Sequence, residues 1–117
     1  MKMLIVLNDP PYGTERSYNG LRLAGNLLKT EEKLQLTIFL LGDAVACAKS
    51  GQNTPNGYYN LERMLKVVLG KDGQVLLCGT CMEARGLRDQ EILEGCRRST
   101  LDELTSLTVA ADKVLVF

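Results

Sequence analysis

Short apolar runs alternate along the chain with longer segments in which apolar residues recur at helical spacing. Residues 3–7 form the first run, which stops at a loop rich in Asn, Asp, Pro and Gly. A short apolar run bounded by turn residues predicts a fully buried strand. Further strands are predicted at residues 36–41, 74–78 and 113–117, with a short strand near residues 95–98.

Helices are predicted in the segments between these strands. Apolar residues spaced three and four apart predict long helices after residue 14, from 61 to 70 and after residue 99, and a short helix over 79–85. Thr14 and Asp43 are expected to cap the first long helix and a short helix through residue 48. Thr100 and Glu103 have the capping-box spacing at the start of the last helix.

Strand–helix alternation with apolar strands predicts one α/β domain over residues 1–117. The expected architecture is a mainly parallel sheet of about five strands covered by helices on both faces. Ligands and reactive groups gather beyond the carboxyl ends of such strands, so the loops at 8–13, 42–43 and Cys78 are candidates. The Gly-, Asn- and Ser-rich loop at 49–57 is expected to be mobile and to control access to Cys78 in part.

Charge and hydropathy exclude several classes of function. The 117 residues carry 14 basic and 14 acidic side chains, a formal net charge of +0. This balance argues against a nucleic-acid partner, since phosphate binding needs a basic excess. No apolar run approaches the roughly 20 residues of a membrane span, so no membrane association is expected. The N-terminus lacks a signal-peptide cleavage site, which predicts a cytoplasmic protein.

The absence of His restricts the chemistry further. Ser-His-Asp triads, Cys-His pairs and His-ligated metals are excluded. Four cysteines remain, and in a cytoplasmic protein they are not expected to form a disulfide framework. Cys47 and Cys96 are expected to be small buried hydrophobic residues, like most free cysteines. No cofactor motif is present, because the 8–13 loop lacks the glycine patterns of dinucleotide and P-loop sites.

The Cys78-x-x-Cys81 pair is the most informative feature. Cys78 is expected to end a strand and Cys81 to lie in the first turn of the following helix, where the helix N-terminus lowers a thiol pKa. Gly79 lacks a Cβ, so a second sulfur or a partner chain could approach. Three interpretations stay open from spacing alone: a reactive or redox thiol pair, half of a zinc site that lacks its other ligands, or two buried thiols in a tight turn.

Five residues are candidates for lining the site around this pair. They come from the first loop and from the segment after the third strand: Asn8, Tyr12, Gly79, Thr80 and Arg85. Arg85 lies one turn from Cys81 and could add positive charge. Glu15 and Arg16 could also line the cleft, but an ordinary helix start is the favoured interpretation for both.

The chain resembles the DsrE/DsrF-like sulfur-relay family, in its small YchN-like branch. The resemblance covers nearly the whole chain, and its most specific mark is the Cys-x-x-Cys-x-x-x-Arg-Gly segment. The segments that carry it are NDPPYGTE at 8–15, NGLRLA at 19–24, FLLGDAV at 39–45, CGTCMEARG at 78–86 and ADKVL at 111–115.

The resemblance implies a three-layer α/β/α fold, assembly into homo-trimers or homo-hexamers, and cofactor-free sulfur transfer through a cysteine persulfide. Cys78 matches the sulfur-carrying cysteine of the family, and Cys81 matches a second cysteine of the YchN-like branch. Donor and acceptor proteins for sulfur are the implied partners. Apolar helix positions at Leu61, Met64 and Val67 leave room for a subunit interface. The competing functions are a thiol redox module that cycles a Cys78–Cys81 disulfide and a non-catalytic oligomeric binding protein.

Overall fold

A computed structural model describes all of residues 1–117 and shows one central sheet. Its strands are β1 (Lys2–Leu7), β2 (Gln35–Leu40), β3 (Gln74–Cys78), β4 (Arg97–Ser99) and β5 (Lys113–Val116). The strand order is β4-β3-β2-β1-β5, and every neighbouring pair is parallel. The predicted five-stranded α/β fold is confirmed.

Four α-helices connect the strands. They are α1 (Arg16–Thr30), α2 (Leu61–Gly70), α3 (Gly79–Ala84) and α4 (Leu101–Ala110). Short 3₁₀ helices lie at Gly42–Ala48, Pro55–Gly57 and Asp89–Glu91. The longest helix, α1, has 15 residues, and no helix combines the length and apolar character needed to cross a membrane.

The side chains of the strands alternate between two hydrophobic cores, which gives three layers. One face of β1 and β2, including Ile5 and Ile38, packs in a 20-residue core with α1, α2 and α3. The opposite face packs in a five-residue core to which α4 contributes Leu104. The second core consists of Leu4, Val6, Phe39, Leu76 and Leu104. One helix, α4, therefore covers one face, and α1 and α2 cover the other, with α3 beside them.

β3 and β4 are neighbours in the sheet, but the helices that follow them pack on opposite faces. After β3 the chain turns into α3, whose Met82 lies in the larger core. After β4 it turns into α4 on the other face. Crevices at such switch points, beyond the carboxyl ends of the strands, are the usual ligand sites of open α/β sheets. Cys78 and Ser99 are paired in register at this point.

The predicted helix caps meet different outcomes. Thr100 caps α4 and accepts a hydrogen bond from the Glu103 backbone N–H at 3.1 Å, as predicted. Thr14 is wrong as a cap, because its hydroxyl donates to the Asp9 carboxylate and α1 begins two residues later. Asp43 also caps nothing, because its carboxylate pairs with Arg85 at 2.8 Å. In both cases a tertiary contact competes for the capping group.

The loop at residues 49–57 is held by polar contacts that its composition does not indicate. The buried Glu62 carboxylate accepts hydrogen bonds from the backbone N–H groups of Gly51 and Gln52. The Gln52 side chain in turn donates to the backbone oxygens of Cys47 and Lys49. We therefore expect the mobility of this loop to be confined to residues 53–57.

The junction between β4 and α4 is closed by an ion pair. Arg97 donates two hydrogen bonds to the Glu103 carboxylate, at 2.9 and 2.7 Å. The buried Ser99 hydroxyl donates to the same carboxylate. Hydrogen bonds from Arg97 and Ser99 lower the pKa of Glu103 to about 2. The carboxylate is therefore bound more tightly as an anion than as an acid.

Replacing Glu103 by Gln is expected to lower the free energy of unfolding by about 1 kcal/mol at pH 7, after allowance for the partial exposure of the pair. Because the native pKa lies below the unfolded one, this stabilisation is present above pH 4.5 and is lost as the pH falls toward 2. Urea unfolding at pH 7 and pH 3 measures it. Asp102→Asn, at an exposed neighbouring carboxylate, is the matched control. Equal effects of the two substitutions at pH 7 would contradict the assignment.

Candidate functional site

Cys78 lies where the strand becomes a helix. The residues before it, Val75 to Leu77, are fully buried, and β3 lies inside the sheet between β2 and β4. Cys78 is the last residue of β3 and the N-cap of α3, and its Sγ accepts the backbone N–H of Cys81 at 3.2 Å. The thiol thus takes the position that Ser or Asp usually occupies at a helix start. The site is fixed by backbone geometry on two regular elements.

A second hydrogen bond joins the same sulfur to the hydroxyl of Thr80. The distance between Thr80 Oγ1 and Cys78 Sγ is 3.2 Å. Partial burial raises the pKa of the Cys78 thiol, but hydrogen bonds from the side chains and backbone of Cys81 and Thr80 outweigh it, so that the net pKa lies below the usual value. A half-buried thiol with a lowered pKa is the environment of a reactive cysteine.

Cys81 is adjacent but is tuned in the opposite direction. Burial and the interaction with the Cys78 side chain both raise the pKa of its thiol, and a backbone hydrogen bond with Gly42 and the charge of Arg85 only partly oppose them. At neutral pH, Cys81 is therefore held as a thiol beside a more acidic Cys78. The two cysteines titrate as an interacting pair with unequal roles.

The other two cysteines are placed as structural residues. Cys47 is fully buried in the larger core, and Cys96 is half-buried against it. Burial raises the pKa of each thiol to about 12. The prediction that they are small hydrophobic residues is confirmed for Cys47, and Cys96 keeps partial exposure.

Gly79 has a different role from the expected one. A Cβ at this position would lie 3.0 Å from Cγ of Arg98, so the open side of Gly79 is already filled by the stem of that side chain. The Arg98 guanidinium donates to the Gly79 carbonyl oxygen at 3.3 Å and to the carboxylates of Glu83 and Asp89, both at 3.0 Å. The glycine admits Arg98 rather than a second sulfur, and Arg98 ties β4 to the start of α3.

Arg85 supports the pair from the other end of α3. It donates to the Asp43 carboxylate at 2.8 Å and to the Cys81 carbonyl oxygen at 3.1 Å. Its charge acts on the pKa of Cys81. Arg85 and Arg98 thus clamp the two ends of α3 against neighbouring loops. Arg98 and Asp43 were missed as site residues from sequence, since their contacts are set by strand order.

The two candidates from the first loop make their hydrogen bonds elsewhere on the carboxyl rim of the sheet. Asn8 donates from its side chain to the carbonyl oxygen of Phe117, at 3.2 Å. Tyr12 donates to Gln52 Oε1 at 2.5 Å and accepts the Leu61 backbone N–H. These contacts join the first loop to the C-terminus and to the start of α2.

The arrangement around Cys78 and Cys81 offers little to a metal ion. The pair could supply two sulfur ligands, but a closed zinc site needs four. No group of three or more cysteine or carboxylate side chains converges in a way that could hold one. The geometry instead suits chemistry on the sulfur itself.

The chain is similar to known proteins over its whole length. The DsrE/DsrF-like family model matches residues 1–117. The chain belongs to the DsrE/DsrF-like family. This family is associated with sulfur relay.

Relatives within the family match over almost their full length. Protein YchN of Escherichia coli K12 is 41% identical over 116 residues, which covers 99% of this chain and 98% of YchN. The crystal structure of that protein superposes with a TM-score of 0.94. The uncharacterized protein MJ0989 of Methanocaldococcus jannaschii is 35% identical over 117 residues, which is 100% of both chains.

A more distant structure shares the fold alone. The protein of unknown function MTH1491 from Methanobacterium thermoautotrophicum superposes with a TM-score of 0.81 at 12% identity, over 99% of this chain and 98% of that one. The three-layer α/β/α fold is therefore shared well beyond recognisable sequence similarity.

Proposed function

We propose that this protein is a sulfurtransferase or sulfur carrier that relays sulfane sulfur as a persulfide on Cys78. The observation that carries the proposal is the environment of the Cys78 Sγ: it lies half-buried at the switch point of the sheet, accepts the Cys81 backbone N–H and shares a hydrogen bond with the Thr80 hydroxyl. Membership of a family associated with sulfur relay supports it.

The chemistry needs an accessible thiolate and no further base. In loading, the Cys78 thiolate attacks the sulfane sulfur of a donor, and the electron pair of the broken bond leaves with the donor thiolate. In delivery, an acceptor thiolate attacks the outer sulfur of the persulfide, and the Cys78 thiolate is released. Both steps depend on a low thiol pKa, which the two hydrogen bonds provide. No histidine and no cofactor takes part in either step.

The proposed partners follow from these two steps. Loading requires a donor that carries sulfane sulfur, and delivery requires an acceptor with a free thiolate. We place both encounters in the cytoplasm, where reducing thiols keep Cys78 and Cys81 available. Neither a membrane nor a nucleic acid is part of the proposal.

A two-step transfer assay tests the function. The protein is loaded with inorganic polysulfide, desalted and mixed with free cysteine as the acceptor, and the cysteine persulfide formed is measured. We expect about one sulfur per chain to be transferred by the wild type and almost none by Cys78→Ser. Cys96→Ser is the matched control and should transfer as the wild type does. Equal transfer by Cys78→Ser would reject the proposal.

A thiol redox role is the second candidate, because the Cys81 side chain interacts with Cys78 directly. A module of this kind would cycle between two thiols and a Cys78–Cys81 disulfide. Mild oxidation would then remove two hydrogens from the pair reversibly, without any sulfur donor. If this change occurs and polysulfide leaves no persulfide, the redox role replaces the carrier role.

We further propose that the protein is a homo-oligomer, a trimer or a hexamer. Several large apolar side chains on the outer surface are exposed, among them Val67, Leu101, Val109 and Val116. Leu61, one of the predicted interface positions, is instead fully buried in the larger core. The proposed interface therefore rests on Val67 of α2 and on the exposed residues of α4 and β5. Contiguous exposed apolar surface typically marks an interaction site.

Sedimentation equilibrium is expected to show a multiple of the 12.9 kDa chain at micromolar concentration. Val109→Lys places a charge on the exposed face of α4, near its C-terminal end, and should shift the distribution toward monomer. Lys33→Glu, at an exposed position between α1 and β2, is the control. A purely monomeric wild type would contradict the oligomer proposal.

A further inference from the structure

Apart from Cys81, Thr80 is the residue whose side chain hydrogen-bonds to Cys78 Sγ. Its Oγ1 lies 3.2 Å from Cys78 Sγ, on the same short loop-to-helix turn that presents the Cys81 N–H at 3.2 Å. The nearby cations are engaged elsewhere: Arg85 binds Asp43 and Cys81 O, and Arg98 binds Gly79 O and two carboxylates. Negative charge on Cys78 Sγ is therefore met by the Cys81 backbone N–H, the Cys81 thiol and the Thr80 hydroxyl, and by no cation.

We propose that Thr80 is a catalytic residue of sulfur delivery, whose hydroxyl donates to Cys78 Sγ as that sulfur leaves. The inference rests on the proposed persulfide role of Cys78 and assigns a function within it. A hydroxyl can donate or accept at a neutral thiol, but a thiolate only accepts. The contact therefore becomes a defined O–H to sulfur hydrogen bond in the charged form.

The balance of the delivery step shows where this hydrogen bond acts. The acceptor thiolate forms a bond to the outer sulfur of the Cys78 persulfide, and the bond between the outer sulfur and Sγ breaks with its electron pair remaining on Sγ. No oxidant or reductant is consumed. Negative charge thus develops on Sγ, within reach of donors that are already in place. Donors aimed at developing charge lower the barrier without reorganisation, as in an oxyanion hole.

Loss of the Thr80 hydroxyl is expected to affect sulfur loading differently from sulfur delivery. Losing the Thr80 donor reduces the fraction of Cys78 present as thiolate, but each remaining thiolate is more nucleophilic, and this gain offsets part of the loss. In delivery, Cys78 is the leaving group, and a more basic thiolate leaves more slowly. The structure therefore predicts an asymmetric defect: loading that still reaches completion and slow delivery.

Thr80→Val and Thr80→Ser form a matched pair. Thr80 is exposed, so neither substitution disturbs the core, and Val keeps the branched shape of Thr while removing the hydroxyl. The variants are loaded with inorganic polysulfide, weighed intact, and mixed with excess cysteine in a single-turnover experiment. We expect full loading of both, roughly tenfold slower delivery by Thr80→Val, and delivery near the wild-type rate by Thr80→Ser.

The pH profile of alkylation gives a second, independent readout. Iodoacetamide modification of Cys78, followed by peptide mass analysis, should shift to higher pH in Thr80→Val and stay near the wild-type profile in Thr80→Ser. Delivery at the wild-type rate by Thr80→Val, or an equal defect in both variants, overturns the inference. If the wild type takes up no sulfur, the proposed function fails, and the alkylation profile decides alone: a shift keeps Thr80 as the donor to the thiolate, and no shift overturns it.

Discussion

Replacing Cys78 by Ser is expected to remove most of the thiol reactivity of the native protein at neutral pH. The pKa is lowered only for Cys78, whereas it is raised for Cys81 and reaches about 12 for Cys47 and Cys96. Because the thiolate is the species that reacts, the rate of iodoacetamide consumption at pH 7 should fall roughly tenfold or more. The measurement needs no sulfur donor, so it tests the electrostatics of the site separately from its function.

Cys96→Ser is the control for this experiment. Cys96 is half-buried, and burial holds its pKa far above neutrality, so its loss should leave the rate unchanged. The expected pH dependence of the reaction rate follows from the direction of the Cys78 pKa shift. Since the native Cys78 pKa is lowered, reactivity should persist at pH values where an ordinary cysteine is protonated. A Cys78→Ser protein that reacts as fast as the wild type would contradict the assigned order of acidity.

Phe39→Ala is expected to produce the largest loss of stability, about 3–5 kcal/mol in the free energy of unfolding. Phe39 is fully buried and is the largest member of the five-residue core under α4. That layer has only one helix above it, so few neighbours can move to fill the cavity. Cys78 packs against the same core, and the substitution should therefore also loosen the site.

Urea unfolding with Phe39→Leu as the control measures this effect. Leu keeps most of the apolar volume and should cost less than about 1.5 kcal/mol. The alkylation rate of Cys78 in folded Phe39→Ala reports any loosening of the site. A loss below about 1 kcal/mol for Phe39→Ala would mean that the α4 layer does not form a true core.

The strand and the helix that position Cys78 and Cys81 were predictable because their signals are local. The apolar run at Gln74–Cys78 ends at a glycine, and the residues after it fit a helix start, so periodicity places both cysteines correctly. The end of α2 at Gly70 was predictable for the same reason. Local signals of this kind depend on neighbours in the chain and are visible without a structure.

The side chains that hold the Cys78 loop in place make contacts with residues that are distant in sequence. Arg98 reaches Gly79 across 19 positions, and Arg85 reaches Asp43 across 42. These contacts exist because β4 pairs with β3 and because the segment after β2 packs against α3, neither of which local periodicity reveals. The failed cap at Asp43 has the same origin, since Arg85 binds its carboxylate, whereas Thr14 is taken up by Asp9 only five positions earlier.

The strand order also explains why the site lies where it does. Three candidate loops share the carboxyl rim of the sheet, and the sequence alone favours the Cys78 loop through its Cys-x-x-Cys pair. Only between β3 and β4 do the following helices leave toward opposite faces. This topological fact favours the same loop independently of its cysteines.

The central claim is that Cys78 carries the sulfur and that Cys81 is its accessory. Wild type, Cys78→Ser and Cys81→Ser are incubated with a persulfide donor, desalted and weighed intact, and the modified cysteine is located by peptide mass analysis. We predict one added sulfur atom on Cys78 of the wild type, no sulfur at this site in Cys78→Ser, and an equal or longer-lived adduct in Cys81→Ser. Sulfur uptake by Cys78→Ser at the wild-type level, together with its loss in Cys81→Ser, would reverse the two roles and contradict the account.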